Sequence, residues 1–453
     1  MKQWTTTEDF IANGKIPSSA QAGFIVETEG YYSKGDGGGA SWRFTGVTGQ
    51  TASQSPSQLG DALLTDASGN QWGLVVTRGA IDARALGCKL DAEQLLDAAT
   101  DDILPLRAAN KGMLTYGGGE VILSGLAAVS DTLEISQRVI FQGKSKFFAN
   151  QFTNNEVRPS GCGFYVLPSH NKDVINLKLN IYDDSGTLRE VINNKKLLDY
   201  RYFGGIKDLI VYGNRSNTAN PPSVTDKNTT GSGVICSGVR YPVVQNIVSM
   251  MCAEQGIETA SFDYGLGSNA CNNLLFNRIT LLSNAGNGCS LSGGDSIVAD
   301  INAGYNGLNG ISSVMGASRI TGISWNNEQD GVNISGGDRA NYDISSYDNK
   351  RQGFRITNTK GVIVKGIANA NGRDTGLNIT DRVGVLTGNS NELLRLDIVT
   401  DGEYLGTTYQ AYGFNISNAT NPVCVAGSFA GNNFTSNWLI TAPANIIKDS
   451  NAP

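Results

Sequence analysis

The sequence predicts an all-β protein built as a parallel β-helix, with about 22 residues in each coil, a small N-terminal module and a short capping helix. Three observations favour this fold class. There are 56 glycines in 453 residues and only 17% charged residues, a composition typical of short strands joined by tight turns. Glycines in the C-terminal half recur at a nearly constant spacing. The apolar residues between them alternate as in strands and do not follow a helical period.

Residues 1–80 are predicted to form the separate N-terminal module, because they contain short apolar runs such as "GFIVET" and "QWGLVV" without the glycine repeat. The stretch "YYSKGDGGGASWRF" in this module raises the question of a phosphate-binding loop. Such a loop should open a helix and carry Lys-Ser or Lys-Thr after its last glycine. Here the glycines lead into an alternating segment with Trp42 and Phe44 on one face. The stretch therefore predicts a tight turn between two strands.

Residues 81–114 are predicted to be a linker and a capping helix. In "TDDILPLRAANKG" a Thr-Asp-Asp start can cap a helix, and Ile103, Leu106 and Ala109 or Asn110 follow at helical spacing. A helix is expected at this point because the first coil of a solenoid would otherwise expose its core and its strand edges.

The β-helix itself is predicted over residues 115–437, followed by a closing segment at 438–453. Five stretches share a polar residue, a glycine and then alternating apolar positions: "NGCSLSGG", "NGISSV", "DGVNISGG", "QGFRITNT" and "TGLNIT". Their glycines are Gly288, Gly310, Gly331, Gly353 and Gly376, so the spacings obtained by subtraction are 22, 21, 22 and 23. This regularity indicates stacked coils, in which each strand pairs with its equivalent about 4.8 Å away.

A second series keeps the same step, with spacings of 22, 22, 21 and 23, at Ile279, Ile301, Ile323, Ile344 and Ile367. A third apolar cluster precedes each isoleucine, so the pattern predicts three strands per coil with the isoleucines pointing inward. Asn284, Asn306 and Asn349 each follow their isoleucine by five residues. We expect these asparagines to stack as a hydrogen-bonded ladder.

Composition also excludes several classes of function. No run of about 18 apolar residues occurs, so no membrane insertion is expected. The net charge of −6, without a basic cluster, argues against a nucleic-acid partner. The single histidine, His170, and seven scattered cysteines make a zinc site or a Ser-His-Asp triad improbable. We expect buried thiols, no metal and no cofactor.

Five motifs in order along the chain resemble the start of bacteriophage tailspike proteins of the pectate-lyase-like superfamily: "GYYSKGDGGGASWRF", "GNQWGLV", "IDARALGCKLDA", "TDDILPLRAAN" and "GGGEVILSG". They cover about residues 23–125, and the repeat extends the resemblance to most of the chain. The resemblance implies a capsule or O-antigen depolymerase, a homotrimer of right-handed, single-stranded β-helices. It further implies a virion protein that meets a phage tail or baseplate protein through its N-terminal module and acts outside the host cell.

Two coils carry the candidate catalytic residues, in "SWNNEQDG" and "SYDNKRQG". Glycoside hydrolysis needs one carboxylic acid to protonate the leaving oxygen and a carboxylate to activate water or attack. Glu328 is the predicted general acid, and Asp348 or Asp330 is the predicted base. One coil across and two residues along a strand place the Cα atoms of Glu328 and Asp348 roughly 8 Å apart, within the range of inverting glycosidases.

Aromatic residues favour carbohydrate as the ligand. Tyr305, Trp325 and Tyr347 precede the glycines of three successive coils by five, six and six residues, in polar surroundings. Exposed rings of this kind suit the C–H faces of sugars, although packing between subunits is an alternative. The predicted substrate-binding group also contains Lys350, Arg351 and Asp374. The negative net charge favours a neutral polysaccharide unless a local group of cations lies in the groove.

Three functions stay open at this point. The first is a phage tailspike that binds and depolymerises a bacterial surface polysaccharide by endo-glycosidic hydrolysis. The second is an enzyme of different chemistry, either a polysaccharide lyase acting by β-elimination or a polysaccharide deacetylase. The third is a receptor-binding fibre that does not cleave its ligand.

Overall fold

The computed structural model describes twelve segments of the chain: 2–17, 20–144, 159–180, 201–215, 228–264, 268–388, 390–404, 407–416, 423–425, 429–433, 435–440 and 446–448. They belong to two compact units. The first unit comprises Met1–His170, Val174–Thr187 and Tyr202–Val211, and the second comprises Asn171–Asp173, Leu188–Arg201 and Tyr212–Pro453. No helix within the described segments is both long enough and apolar enough to cross a membrane.

The domain boundaries inferred from the sequence stay predictions. The predicted closing segment, 438–453, lies partly outside the described residues, at 441–445 and 449–453.

The first unit begins with a small five-stranded sheet and two helices: β1 Lys2–Trp4, α1 Thr7–Asn13, β2 Ile25–Thr28, β3 Ser41–Phe44, α2 Pro56–Leu59, β4 Leu63–Thr65 and β5 Gln71–Leu74. The strand order is β1-β2-β3-β5-β4, and only β1 and β2 pair in parallel. Phe10, Trp42 and Trp72 are completely buried, with the rings of Phe10 and Trp72 5.0 Å apart. These large rings form the core of the sheet.

The glycine-rich stretch is the connection between β2 and β3, which pair as an antiparallel hairpin. Asp36 holds the connection in place, because its carboxylate accepts hydrogen bonds of 2.7 to 3.0 Å from four backbone N–H groups between residues 31 and 38. Burial alone would raise the pKa of Asp36, but these bonds lower the pKa below its ordinary value. Trp42 and Phe44 are both buried on one face of β3. The predicted turn is confirmed.

Coils of the β-helix begin in the rest of the first unit. Its elements are β6 Ala80–Asp82, α3 Ala92–Leu95, α4 Ile103–Thr115, β7 Gly119–Leu123, β8 Leu126–Val129, β9 Leu133–Ile135, β10 Val139–Gly143, β11 Gly163–Val166, β12 Ile175–Leu177 and β13 Gly205–Tyr212, with 3₁₀ helices at Ala83–Leu86 and Leu96–Ala98. Strands stack in parallel as β6-β7-β10-β13, as β8-β11 and as β9-β12. Coils with three strands, as the sequence predicts, are therefore present here.

The helix α4 is the predicted capping helix. It begins after Asp102, and the Oδ1 atom of Asp101 accepts a hydrogen bond from the N–H of Ile103 at 3.1 Å. Asn110 attaches the helix to the coil, because its amide donates to Oγ of Ser136 at 2.9 Å and accepts from the N–H of Ser136 at 3.0 Å. The buried face consists of Ile103, Pro105, Leu106, Ala108, Ala109, Asn110, Gly112 and Met113.

The second unit is a stack of parallel strands. They are β14 Val234–Ser237, β15 Val243–Met250, β16 Ile257–Ala260, β17 Phe262–Asp263, β18 Ser268–Asn269, β19 Cys271–Leu282, β20 Cys289–Leu291, β21 Gly294–Gly304, β22 Ile311–Ser313, β23 Arg319–Trp325, β24 Val332–Ile334, β25 Asn341–Tyr347, β26 Phe354–Ile356, β27 Ile363–Asn369, β28 Val383–Thr387, β29 Leu394–Asp401, β30 Glu403–Tyr404, β31 Thr407–Thr408, β32 Tyr412–Ile416, β33 Val423–Val425, β34 Phe429–Gly431, β35 Ser436–Ile440 and β36 Ile446–Lys448. A 3₁₀ helix lies at Ile379–Asp381. Among the described strands of this unit, the short ribbons β17-β18 and β30-β31 are the antiparallel pairs.

Two parallel sheets wind through this unit. The long-strand sheet runs β15-β19-β21-β23-β25-β27-β29, and the short-strand sheet runs β14-β16-β20-β22-β24-β26-β28-β32-β35. Each coil from β19 to β28 thus contains one long strand, a turn, one short strand and a second turn. We call the turn that leads from a long strand to the next short strand the long-to-short turn.

The number of strands per coil differs from the sequence prediction in this unit. The second and third apolar stretches merge into one long strand, as Ile297 and Ile301 do in β21. In β23 the strand bends at Gly322, whose φ is +138°, and in β27 at Gly366, whose φ is +130°. A single residue with positive φ changes the chain direction without interrupting the ladder to the neighbouring coils, so no turn is needed.

The isoleucine series is wrong at two of its five positions. Gly322, not Ile323, pairs with Ile301, and Gly366, not Ile367, pairs with Ile344. Ile323 and Ile367 are therefore exposed on the outer face. Glycine takes the inward position because the space there is too small for a side chain. A Cβ at Gly322 would lie only 1.8 Å from the carbonyl oxygen of Ile301. The irregular steps of 21 and 23 in the isoleucine series follow from this shift.

The predicted asparagine ladder is present and longer than expected. Each amide nitrogen donates to the amide oxygen of the next coil, at 3.1, 3.0, 2.8 and 2.8 Å, along Asn284, Asn306, Asn327, Asn349 and Asn371. All five side chains are completely buried. Each amide oxygen also accepts a hydrogen bond from a backbone N–H of the preceding coil. The donor is Cys252 for Asn284, and for every later asparagine it is the preceding member of the ladder. The ladder thus satisfies backbone groups that the long-to-short turns leave unpaired.

A second ladder runs through the end of the same turns. The N–H of each residue donates to the side-chain oxygen of the preceding one along Gln255, Asn287, Asn309, Asp330 and Gln352, at distances from 2.6 to 3.2 Å. The two ladders together hold the inner side of each long-to-short turn.

All seven cysteines are free thiols, and six of them are buried, as the sequence predicts. Burial raises the pKa of Cys252 to about 11 and that of Cys289 well above its ordinary value, so both thiols stay protonated at neutral pH. Among the residues that the structure describes, no group of three or more His, Cys, Asp or Glu side chains is placed to hold a metal ion.

Replacement of Asn327 by Ala should destabilise the second unit by roughly 2–4 kcal/mol, because buried hydrogen-bonding groups on both neighbouring coils lose their partner. The measurement is equilibrium or thermal unfolding of wild type and variant. Asn378→Ala is the matched control, since Asn378 is exposed and makes no side-chain capping bond. Equal destabilisation by the two variants would contradict a structural role for the ladder.

A second prediction concerns pH and the first unit. Asp102 is completely buried, and burial raises its pKa to about 7 in spite of hydrogen bonds from the N–H groups of Lys89 and Leu90. An unfolded chain has a pKa of about 3.9 at this group. The folded state therefore binds the proton more tightly, and the resulting stability is fully present below about pH 4 and is lost as the pH rises through about 7.

Asp102→Asn, which carries no charge at any pH, should reduce this loss of stability between pH 4 and 7. Thermal unfolding of wild type and variant across this range measures the effect, with the exposed Glu93→Gln as control. The same decline in both variants and wild type would show that Asp102 is not responsible.

Candidate functional site

The candidate site lies on the second unit, at the end of the long-strand sheet and on the turns that follow. Parallel pairing places Trp325 between Gly304 and Tyr347, and Tyr347 beside Asn369. Their side chains face outward because the preceding residues, such as Ser324, point into the coil. Equivalent positions of neighbouring coils are therefore brought to one edge of the outer face.

Tyr305, Trp325 and Tyr347, which we call the ring column, are in contact across three coils. The ring centroids of Tyr305 and Trp325 are 4.5 Å apart at an interplanar angle of 71°, and those of Trp325 and Tyr347 are 6.4 Å apart at 17°. Tyr305 lies one residue beyond the register of the other two and is 46% exposed. The rings form a continuous apolar surface next to polar turns, as the sequence analysis expects.

Two neighbours fix the orientation of the Trp325 ring. Its Nε1 donates a hydrogen bond to Oδ1 of Asn302 at 2.9 Å. A Cβ at Gly304 would lie 2.5 Å from the indole, so the indole can cover this position only because it is a glycine. The ring is thus held against the sheet with part of its surface left accessible.

Asp348 begins the long-to-short turn directly after Tyr347. It has a positive φ of +57° and is only 3% exposed, and its Oδ1 is buried without a hydrogen-bond partner. Burial raises the pKa of Asp348 above its ordinary value, and the positive charge of Arg373 lowers it in part. A buried carboxyl oxygen without a hydrogen-bond partner is costly to maintain, and carboxyl groups of this kind occur often at functional sites.

Glu328 lies on the neighbouring coil and forms an ion pair with Lys350. The backbone places these two residues side by side, because Glu328 N–H donates to the carbonyl of Asn306 and Lys350 N–H donates to the carbonyl of Asn327. Asp348 is therefore one coil across and two residues back from Glu328. This is the register on which the sequence analysis based its separation of roughly 8 Å between the Cα atoms of an extended chain.

Asp330 has a structural position, which disfavours its assignment as a possible base. It is 2% exposed, and its Oδ1 accepts the N–H of Gln352 at 3.2 Å as part of the second ladder. Burial raises the pKa of Asp330, while the nearby Arg351 lowers it. Use of this carboxylate in catalysis would disturb the hydrogen bond that it contributes to the ladder.

The remaining predicted binding residues surround the same turn. Arg351 follows Lys350 and is partly buried, as is Arg373 one coil further on. Asp374 is exposed, and its Oδ1 accepts the N–H of Gly376 at 2.9 Å. The turn thus combines the ring column, a carboxylate pair and three cationic side chains.

Sequence reasoning missed a second polar row on the outer face, four residues before the positions of Trp325 and Tyr347. Parallel pairing aligns Asp300, Thr321, Asp343, Lys365 and Asp397. The signal available in the sequence was the period-two alternation counted backwards from each ring. Asn369 was also missed, and it lies in register with Tyr347 with its Oδ1 buried and without a hydrogen-bond partner.

Chemically, this arrangement can bind a sugar chain against the rings and place one of its linkages near two carboxyl groups. Glu328 and Asp348 lie on adjacent coils, two register positions apart. The fold and the site together define a parallel β-helix with a row of aromatic side chains beside polar turns on its outer face.

Comparisons with known proteins agree with this fold. No protein family model and no curated protein sequence matches the chain. Among solved structures, the enzymatically active domain of tailspike protein 2 from bacteriophage CBA120 is similar, with a TM-score of 0.59 and 13% identity. The match covers 94% of this chain and 57% of that one, so this chain spans little more than half of that structure.

Two further structures share the fold. The A-module of a mannuronan C-5 epimerase from Azotobacter vinelandii has a TM-score of 0.53 at 14% identity, covering 82% of this chain and 100% of that one. The N-terminal fragment of gene product 12 from bacteriophage Phi29 has a TM-score of 0.50 at 11% identity, covering 81% and 65%. The parallel β-helix prediction and the resemblance to phage tailspikes are thereby confirmed at the level of fold.

Replacement of Trp325 by Ala should weaken polysaccharide binding by about 1–2 kcal/mol, or roughly tenfold, because a sugar loses the apolar face on which it stacks. Affinity electrophoresis in gels that contain the polysaccharide measures the change. Tyr241→Ala, at an exposed tyrosine of the same unit, is the control and should retain wild-type mobility. Unchanged binding by the Trp325 variant would remove the ring column from the site.

Proposed function

We propose that this protein is a phage tailspike that binds a bacterial surface polysaccharide, O-antigen or capsule, and cleaves it by endo-glycosidic hydrolysis. The observation that carries the proposal is the ring column beside the carboxylates of Glu328 and Asp348. A column of partly exposed rings gives sugar contact, and two carboxyl groups on adjacent coils supply the acid and the base that hydrolysis requires. The similarity of fold to an enzymatically active tailspike domain supports the proposal.

Asp348 is assigned as the general acid and Glu328 as the base. This reverses the roles proposed from the sequence alone. Burial raises the pKa of Asp348, which favours the protonated form that a leaving oxygen requires. Glu328 accepts a hydrogen bond from the Lys350 ammonium, as a carboxylate does, and is far more exposed, so water can reach it.

The setting of this activity is also part of the proposal. The protein acts as a homotrimer in the virion, outside the host cell, and its N-terminal module binds a phage tail or baseplate protein. The resemblance of the N-terminal motifs and the shared fold support this setting.

The test is incubation of the protein with purified surface polysaccharides from a panel of bacterial hosts, followed by product analysis. New reducing ends without the ultraviolet absorbance of unsaturated uronates would support hydrolysis. That absorbance would instead identify a lyase, released acetate with an intact polymer a deacetylase, and binding without any product a non-cleaving fibre.

Glu328→Gln and Asp348→Asn should each lower the cleavage rate by about 10²-fold or more while binding stays close to wild type, because each variant removes one proton-transfer group. Glu254→Gln is the matched control, since Glu254 is an exposed acid two residues before the coil glycine Gly256. Full cleavage by both variants would show that the carboxylates were assigned wrongly.

A further inference from the structure

Two arginines beside the ring column have buried guanidinium nitrogens without partners. Nε of Arg351 and Nε of Arg373 are both buried and donate no hydrogen bond in the structure. Neither side chain forms an ion pair or hydrogen bond with any of the residues that the structure describes. An unsatisfied buried donor costs about 1–3 kcal/mol, and a charged one more. Most surface arginines avoid this cost by reaching into water.

The backbone holds both arginines in fixed positions on adjacent coils. Gly372 N–H donates to the carbonyl of Arg351 at 2.6 Å, and Arg351 N–H donates to the carbonyl of Gln329 at 3.2 Å. Arg382 secures the segment that leads to Arg373, because its Nε donates to the carbonyl of Gly372 and its Nη2 to that of Tyr409, each at 3.0 Å. Hydrogen bonds between the two turns therefore hold the backbone from which both guanidinium groups extend.

Carboxylates lie near the two arginines but do not use their donors. Arg351 lowers the pKa of the buried Asp330 and Arg373 lowers that of Asp348, in each case against the larger, opposite effect of burial. Asp374, the next residue after Arg373, is engaged with the N–H of Gly376. Lys350, the other cation of this turn, is already paired with Glu328. No described carboxylate or carbonyl thus accepts a hydrogen bond from either guanidinium group, and both side chains are only partly buried.

We propose that Arg351 and Arg373 bind the negatively charged group of an acidic sugar residue, so that the polysaccharide bound at this site is anionic. The proposal rests on the proposed function, because it assigns a charge to the same substrate. A guanidinium presents paired N–H donors in a plane that matches the oxygens of a carboxylate or a phosphate. Such an oxyanion supplies acceptors to two guanidinium groups that have none among the described residues.

The location fits a sugar chain that continues from the rings. Asp348, which Arg373 influences, directly follows Tyr347 in the chain. A sugar unit stacked on Trp325 and Tyr347 can therefore place the next sugar unit over the turn. The two arginines lie there, one and two coils beyond Trp325. This local pair of cations overrides the indication of a neutral polymer from the net charge of −6.

The test uses the full chain and the host polysaccharides sorted into three groups: neutral, uronate-containing and phosphate-containing polymers. Binding is measured by affinity electrophoresis for wild type, Arg351→Gln, Arg373→Gln, the double variant and Arg339→Gln. Arg339 is a control, because it is exposed on another turn and paired with Asp338. Each bound polymer is measured again after its uronate carboxyls are reduced to alcohols or its phosphates are removed. Thermal unfolding checks that the variants remain folded.

We expect binding only to anionic polymers, a loss of about tenfold or more with each single Gln variant and no change with Arg339→Gln. Removal of the anionic group should reduce wild-type binding by a similar factor, and the double variant should not distinguish the two preparations. Loss on carboxyl reduction identifies a uronate, and loss on phosphate removal identifies a phosphate. Arg351→Lys, which keeps the charge without the planar group, should bind with intermediate strength.

Binding of a neutral polymer with wild-type affinity, or unchanged binding by the double variant, would overturn the inference while leaving hydrolysis in place. Arginine-dependent binding without cleavage would do the reverse and overturn the proposed hydrolysis alone. Absence of binding to every polymer in the panel would count against both.

Discussion

The structure of the second unit depends on one constraint, which is that every backbone group of a turn must find a partner inside a stack of coils. Strands solve this problem through parallel pairing, and parts of the long-to-short turns do so as well, but the N–H groups of the ladder asparagines find no backbone acceptor. Buried side-chain amides from Asn284 to Asn371 supply the missing acceptors, coil after coil. Because these ladders fix the turns in register, each residue just outside them is placed directly over its equivalent on the next coil.

The inner and outer sides of the long-to-short turns differ in how well their buried polar atoms are hydrogen-bonded. Inside, Asn327 and Asn349 have their amides satisfied on both neighbouring coils. Outside, Asp348, Arg351 and Arg373 each keep a buried polar atom without a partner. Turns held by these ladders can keep such atoms in place, because the ladders prevent the relaxation that would otherwise pair them. This contrast is the physical basis for locating the site here.

The ring column shows how the regular stacking of coils produces a continuous surface. Trp325 and Tyr347 share a register, and Tyr305 extends the contact although it lies one residue further along. Gly304 provides the space in which the indole lies flat against the preceding coil. A repeated spacing of about 4.8 Å between coils therefore produces an extended aromatic surface from single aromatic residues on separate coils.

The sequence by itself determined the solenoid, its period, the glycine-rich hairpin, the capping helix and the positions of the rings, because each follows from local pattern and the strict repetition of coils. The proposal of Glu328 and Asp348 as the carboxylate pair also came from the sequence, through their place before the coil glycines. Only the tertiary structure decided that Gly322 and Gly366 take the inward positions, that Asp330 belongs to a ladder and that Arg351 and Arg373 lack partners. These facts depend on close contacts and burial between coils, which a pattern along one strand does not contain.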